Sequence, residues 1–422
     1  MGRPKAKKIV LLICMLGALL AVFFAMRGPA KTPQDSGKRP EDETGFVAKT
    51  PPQSETEQKP EPETEHKAPA VDLTEEYISA CINKMSLEEK IGQMFICAFR
   101  DDTQGVKSIN ANMREVISNY HIGGVILFGE NLHDKAQTSK LIADLQSKSD
   151  IPLFIATDEE GGTVSRLSAL GYEKLPGASR IGSSGDSQQA FGQGSKIGIN
   201  LRELGFNLNF APVADINSNK QNAVIGSRAF SGDAKIAGEM VGEFVKGLQG
   251  EGIIATLKHF PGHGDTKADS HYGPAFADHD TTRLNGYELV PFKMGIEAGA
   301  GLVMVGHISL PNVTGSDEAA IFSEEIVTRI LRNQMGFTGA VITDALDMGA
   351  VVKYCEADEA AVKAVMAGVD ILLMPQDIGR AFNGLLNAVE SGGISESRID
   401  ESLIRIFKVK MQFSIMKITD KK

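Results

Sequence analysis

Between Lys258 and His271 the chain reads Lys258-His259-Phe260-Pro261-Gly262-His263-Gly264-Asp265 and, three residues later, Asp269-Ser270-His271. Three histidines, Lys258 and the carboxylates Asp265 and Asp269 fall within 14 residues. An apolar run from Gly252 to Leu257 precedes them and predicts a strand. Pro261, Gly262 and Gly264 exclude a helix here. Titratable side chains crowded onto a Gly/Pro loop are poor core material. They suit an active site, because loops held by a rigid scaffold carry chemistry. The residue types leave two chemistries open. One is proton transfer by histidine. The other is a metal site built from His259, His263 and His271 with Asp265 or Asp269. Pro261 and Gly262 stand between His259 and His263, so no helix aligns those rings as an HExxH helix would.

The elements that must hold this loop are legible as eight apolar, β-branched runs. They are Met94–Phe99, Gly124–Phe128, Leu153–Thr157, Leu208–Val213, Ile253–Leu257, Leu302–Val305, Ala340–Thr343 and Ile371–Met374. Amphipathic helical patterns lie between them, such as Ala234–Leu248 and Glu324–Met335. Continuous apolar strands alternating with helices mean βαβ units and a parallel sheet. Eight such units predict an α/β fold, a single (β/α)8 TIM-type barrel; a doubly wound open sheet is the alternative. No Gly-rich dinucleotide or phosphate-loop fingerprint follows any strand.

In a barrel, catalytic residues gather just past the C-terminal ends of the strands. The third strand runs into Asp158-Glu159-Glu160-Gly161-Gly162, with Arg166 beyond. The fourth runs to Asp215, and its loop carries Asn222, Arg228 and Ser231. The fifth supplies Lys258 and His259, the sixth His307 and the seventh Asp344. A lone short carboxylate on a rigid strand end, Asp344 suits a nucleophile; its bland alternative is a helix N-cap. Glu159 and Glu160, ahead of the Gly-Gly turn, read as caps for backbone N–H groups.

The rest of the chain bounds the setting. It has 422 residues, 42% hydrophobic and 23% charged, as a globular protein with a sizeable core would. A net charge of −10 argues against nucleic acid as a partner. Cys14, Cys81, Cys97 and Cys355 show no ligand spacing, and Cys97 reads as a buried small hydrophobe. Residues 1–27, basic and then apolar from Ile9 to Met26, predict a membrane anchor or a cleaved signal peptide. Residues 28–71 hold eight of the 17 prolines and predict a disordered Pro/Glu-rich linker. Residues 72–415 are the expected catalytic barrel, monomeric and extracytoplasmic, held near the membrane by the N-terminal helix.

Four segments carry a family resemblance: Ala156-Thr157-Asp158-Glu159-Glu160-Gly161-Gly162, Asn209-Phe210-Ala211-Pro212-Val213-Ala214-Asp215, Lys258 through His271, and Ile342-Thr343-Asp344-Ala345-Leu346-Asp347-Met348. Together they resemble glycoside hydrolase family 3, and the loop form KHFPGHG-x4-DSH resembles its β-N-acetylglucosaminidase branch. The family's first motif commonly has Gln at position 159 and Arg at 163, where this chain has Glu159 and Thr163. The resemblance implies an exo-acting retaining enzyme that acts on N-acetylglucosamine-containing glycans or muropeptides, with its site completed within the barrel and no metal or other cofactor. It implies Asp344 as nucleophile and a His271–Asp269 acid/base dyad. It also implies Asp158, Arg166, Arg228, Lys258 and His259 as substrate ligands. The alternatives are a β-glucosidase-type or phosphorolytic family 3 enzyme, a metal-dependent hydrolase, or an inactive sugar-binding barrel.

Overall fold

The computed structural model describes residues 73–100, 105–266 and 275–418. The expected anchor over 1–27, the expected linker over 28–71 and the dyad residues Asp269 and His271 lie outside them. Among the described residues no helix is long and apolar enough to cross a membrane.

Each apolar run forms a strand. They are β1 (Phe95–Ala98), β2 (Gly124–Ile126), β3 (Phe154–Thr157), β4 (Leu208–Asn209), β5 (Ile254–Phe260), β6 (Leu302–Val305), β7 (Ala340–Thr343) and β8 (Leu372–Leu373). All neighbours are parallel, in the order β8-β1-β2-β3-β4-β5-β6-β7. A parallel bridge between Ile342 and Ile371 joins the two ends, with Ile371 N–H donating to Val341 O at 2.9 Å and Thr343 N–H to Ile371 O at 3.0 Å. The sheet is therefore a nearly closed barrel, and the open doubly wound sheet is excluded. Nearly every strand residue is buried, as walls covered on both faces require.

Helices follow the strands in turn: α1 (Ala111–Tyr120), α2 (Lys135–Gln146), α3 (Ser187–Leu204), α4 (Ala234–Gly250), α5 (Val290–Glu297), α6 (Glu325–Gln334, π-wound), α7 (Ala357–Ala367) and α8 (Ile378–Glu390), with α9 (Glu396–Gln412) closing the chain's turn around the barrel. Asp233 caps α4, its Oδ1 accepting from the Lys235 and Ile236 N–H groups, each at 2.9 Å. Helices α3 and α4 touch through glycine: a Cβ on Gly247 would stand 2.1 Å from Phe191 O, and one on Gly194 2.3 Å from Phe244 O. One contiguous apolar core fills the barrel and its helix layer, with Phe260 and Phe292 edge-to-face at 5.2 Å. Cys97 lies in that core, and burial pushes its thiol up to about 12.

Two strands differ from expectation. β4 stops at Asn209 rather than Val213, because Pro212 offers no N–H to continue the ladder; Ala211–Pro212 is cis. β5 runs on to Phe260, so Lys258 and His259 sit on the strand itself rather than on the loop after it. The pairing of β5 with β6 shifts register between Leu257 and Phe260.

The opposite, N-terminal rim also carries buried polar groups. Asp370, just ahead of β8, binds Arg332, Arg405, Ser402 Oγ (2.9 Å) and the Val341 N–H (2.9 Å). Lys410 on α9 is fully buried, donating to Gln93 Oε1 at 3.1 Å and Gly123 O at 3.2 Å. Polar groups therefore occupy both rims, and their presence at one rim does not by itself mark the site.

Candidate active site

A cavity of about 590 Å³ opens at the C-terminal ends of the strands. Asp158, Glu160 and Arg166 reach it from β3 and its loop, Arg228 from the β4 loop, Lys258 and His259 from β5, and Asp344 from β7. Every substrate ligand implied by the resemblance lines this one cavity, together with Asp344.

Asp344 is placed by its strand. Its N–H continues the ladder to Val305 O at 2.8 Å, and its Oδ1 accepts the Ala345 N–H at 2.8 Å. The short helix Gly349–Val352 that follows is preceded by Met348 at the N-cap position, so Asp344 is not its cap. Burial acts to raise the Asp344 pKa. The positive potential of His307 and His259, the Ala345 N–H and Lys258 outweigh it and hold the carboxyl below its ordinary value. His307 Nε2 donates to Ala345 O at 2.8 Å, which pins the residue after Asp344.

Beside it lies a buried ion network. Lys258 Nζ stands 2.7 Å from both Asp158 Oδ1 and Glu160 Oε1. Arg228 grips Glu160 with Nε at 2.9 Å and Nη2 at 2.7 Å, while its Nη1 donates to Val224 O at 3.2 Å. Burial acts to raise the Glu160 pKa, but Lys258 and Arg228 hold it down at about 2. Burial disfavours the Lys258 ammonium, and Asp158 and Glu160 reverse that and raise its pKa. The network corrects one expectation. Glu160 does not cap the Gly-Gly turn; it is the counter-ion that two buried cations need. Lys258 and Arg228, expected to donate to sugar, line the cavity while also pairing with these carboxylates, which fixes where their remaining N–H groups stand.

Glu159 does act as a cap. Its Oε2 accepts from the Arg166 and Leu167 N–H groups at 2.6 and 2.9 Å, and burial raises its pKa. Gly161 and Gly162 take φ of +82° and +62°, the left-handed turn that glycine allows without strain. Arg166 lines the cavity, and its buried Nε has no hydrogen-bond acceptor among the described residues.

Asp215, at the end of the fourth apolar run and given no role from sequence, is a functional candidate that only the structure singles out. Its Oδ2 meets His259 Nδ1 at 2.7 Å, and its Oδ1 accepts the His263 N–H at 2.7 Å. His263 lines the cavity and stacks edge-on to His259, ring centres 5.9 Å apart. Burial, with His259 nearby, lowers the His263 pKa. Arg100, Glu130 and Asp347 also line the cavity; Arg100 lies over the Phe128 ring at 4.0 Å and 3.9 Å from Asp347. Among the described residues no group of three or more His, Cys, Asp or Glu is placed to hold a metal ion.

The family model for the "Glycosyl hydrolase family 3 N terminal domain" matches residues 86–409. Beta-hexosaminidase A of Pseudoalteromonas piscicida is 34% identical over 377 residues, an alignment covering 80% of this chain and 63% of that protein. Beta-hexosaminidase LpqI of Mycobacterium tuberculosis is 31% identical over 338 residues, covering 77% of this chain and 83% of that one. The solved structure of a glycoside hydrolase family 3 beta-N-acetylglucosaminidase from Paenibacillus superposes with a TM-score of 0.76 at 38% identity, over 80% of this chain and 65% of that one. The chain thus spans just under two thirds of the Pseudoalteromonas protein and the Paenibacillus structure, and most of the mycobacterial protein.

Proposed function

The chain belongs to glycosyl hydrolase family 3, and from that premise we propose that it is an exo-acting, retaining β-N-acetylglucosaminidase acting on peptidoglycan-derived fragments. One observation carries the reading: Asp344, its carboxyl held below the ordinary range, stands at a strand end in a cavity walled by charged hydrogen-bonding groups. A carboxylate kept ionised is what attack on an anomeric carbon needs. The names of the relatives, two beta-hexosaminidases and a beta-N-acetylglucosaminidase, support the choice of sugar.

In this mechanism an Asp344 oxygen forms a bond to the anomeric carbon as the glycosidic bond breaks, and a proton passes to the departing oxygen. Water then displaces Asp344 and gives up a proton to the same acid/base group. The carboxylates of the β3 end are ill suited to that group. Glu160, at about 2, holds no proton near neutral pH. Asp158 is bound to Lys258, and Glu159 is turned to the Arg166 and Leu167 N–H groups. This supports the His271–Asp269 dyad implied by the resemblance. A histidine titrates near ~6.5 and can both give and take the proton. A second reading of the donor rests on Asp347, which lines the same cavity. Its pKa is raised, chiefly by burial and in part by Asp344, while that of Asp344 is lowered. That split is the one that separates acid from nucleophile in a carboxylate pair.

Residues 1–27 serve in this proposal as the membrane anchor or export signal, and residues 28–71 as a spacer that lets the barrel reach wall fragments outside the cytoplasm. The barrel works there as a monomer.

The test compares full-length protein on p-nitrophenyl β-N-acetylglucosaminide and on the β-glucoside, with EDTA present. Strong preference for the N-acetyl sugar, with Asp344 labelled by a 5-fluoro glycosyl trap in the mass spectrum, is expected. Preference for glucoside, loss of activity in EDTA, or sugar 1-phosphate formed in phosphate buffer would each replace the reading. His271→Ala and Asp347→Asn, compared on good and poor leaving groups, decide between the two donors. The true donor is the one whose loss matters most for poor leaving groups.

A further inference from the structure

His259 sits at the cavity wall beside the nucleophile, and one buried side chain governs its orientation. Asp215 is fully enclosed. Its two oxygens lie 3.2 and 3.3 Å from the His259 N–H, its Oδ1 accepts the His263 N–H at 2.7 Å, and its Oδ2 meets His259 Nδ1 at 2.7 Å. A carboxylate oxygen only accepts. The short contact therefore makes Nδ1 the protonated nitrogen and leaves Nε2 as the ring atom available to the cavity. The partner on one imidazole nitrogen sets what the other can do. The backbone contacts add orientation: the same carboxylate holds the main chain on both sides of the Phe260-Pro261-Gly262 turn. In its protonated form His259 is also one of the groups that lower the Asp344 pKa, so the ring and Asp344 are electrostatically coupled.

We propose that Asp215 is a positioning residue for the reaction, acting through His259: it locks the imidazole tautomer and the main chain around it, so that Nε2 meets substrate in one orientation beside Asp344. The proposal rests on the reading of Asp344 as nucleophile. Asp215 itself is buried and does not line the cavity.

The substitution Asp215→Asn separates the two parts of this role. The asparagine oxygen can still accept the His259 and His263 N–H groups. Its amide nitrogen, in place of Oδ2, can only donate. It forces His259 Nδ1 to accept and moves the proton to Nε2. Fold and backbone stay, while the polarity at the cavity face reverses. Nitrogen-15 spectra of histidine-labelled full-length protein read this directly. The expected result is an Nδ1–H His259 in the wild type and an Nε2–H His259 in Asp215→Asn. With it, kcat should fall about 10- to 100-fold, as for other lost ring-orienting partners, and KM should change less. In a His259→Gln background the same substitution should cost less than about threefold, because its route of action is gone.

Three outcomes overturn the proposal: Nδ1 unprotonated in the wild type, an unchanged tautomer in Asp215→Asn, or losses that multiply in the double variant. The wild-type spectrum decides even where the variant fails to fold. Failure of the nucleophile reading looks different: Asp344→Ala would turn over normally while the tautomer result stood.

Discussion

Replacing Lys410 by methionine should stabilise the protein in mild acid and destabilise it in strong base. Lys410 is buried at the N-terminal rim, over the Phe154 ring at 4.8 Å, and its two hydrogen bonds run to Gln93 Oε1 and Gly123 O. A neutral amine has two N–H donors, which match those two acceptors. An ammonium has three. Burial brings the pKa from 10.5 down to about 7. At about 1.36 kcal/mol per pH unit the gap corresponds to about 5 kcal/mol. The sign follows from proton counts. Between about pH 7 and 10.5 the unfolded chain binds the proton and the folded chain does not, so wild-type stability rises with pH across that window. Below about 7 the fold carries the full penalty, and above 10.5 it carries none. Methionine removes the titration but leaves Gln93 Oε1 without its donor, at about 1–3 kcal/mol, while Gly123 O keeps the Phe154 N–H at 3.0 Å. At pH 6 the variant should therefore be more stable by roughly 2–4 kcal/mol, and at pH 10 less stable by up to about 2 kcal/mol. Guanidinium unfolding of both proteins at half-unit steps from pH 6 to 10 reads the difference, and other titrating groups cancel in the comparison. A difference that stays flat over that range would refute the claim that Lys410 is neutral in the fold.

Asp344→Ala should abolish turnover by at least about three orders of magnitude, in keeping with the loss of a covalent nucleophile, with the unfolding midpoint unchanged within about 1 kcal/mol; rates near wild type would remove Asp344 from the chemistry. Glu160→Gln should cost about 3 kcal/mol of stability at neutral pH, since the carboxyl goes from 4.5 unfolded to about 2 folded. Because that pKa is depressed, the contribution is fully present above pH 4.5 and fades as pH falls toward 2, so unfolding curves of the two proteins should converge in acid; a gap that persists to pH 2.5 would contradict the assignment. Lys258→Met leaves Asp158 and Glu160 short of a buried cation and should destabilise by about 3–5 kcal/mol; a loss under about 1 kcal/mol by thermal melts would mean that the network is solvated.

The eight strands and the place of Asp344 could be read from sequence because each depends on a short local pattern. An apolar, β-branched run such as Ala340–Thr343 marks a strand, and the next residue must then stand at the barrel's mouth. The Gly161–Gly162 turn and the Glu159 cap were local in the same sense. The partners that give each site residue its character were not local. Glu160 is joined to Arg228 across 68 residues, and Asp215 to His259 across 44. Lys410 reaches Gly123 across 287. Composition along the chain carries no trace of such pairings, so a capping role for Glu160 reads as reasonably as an ion pair. The early end of β4 follows from Pro212, but the pairing of β8 with β1, Leu372 beside Phe95, exists only once all eight units have wound into a ring. Local sequence thus chose the elements and put Asp344 at the barrel's mouth. Burial and barrel closure then decided which charges had to find one another, because an ion removed from water is tolerated only beside its counter-ion.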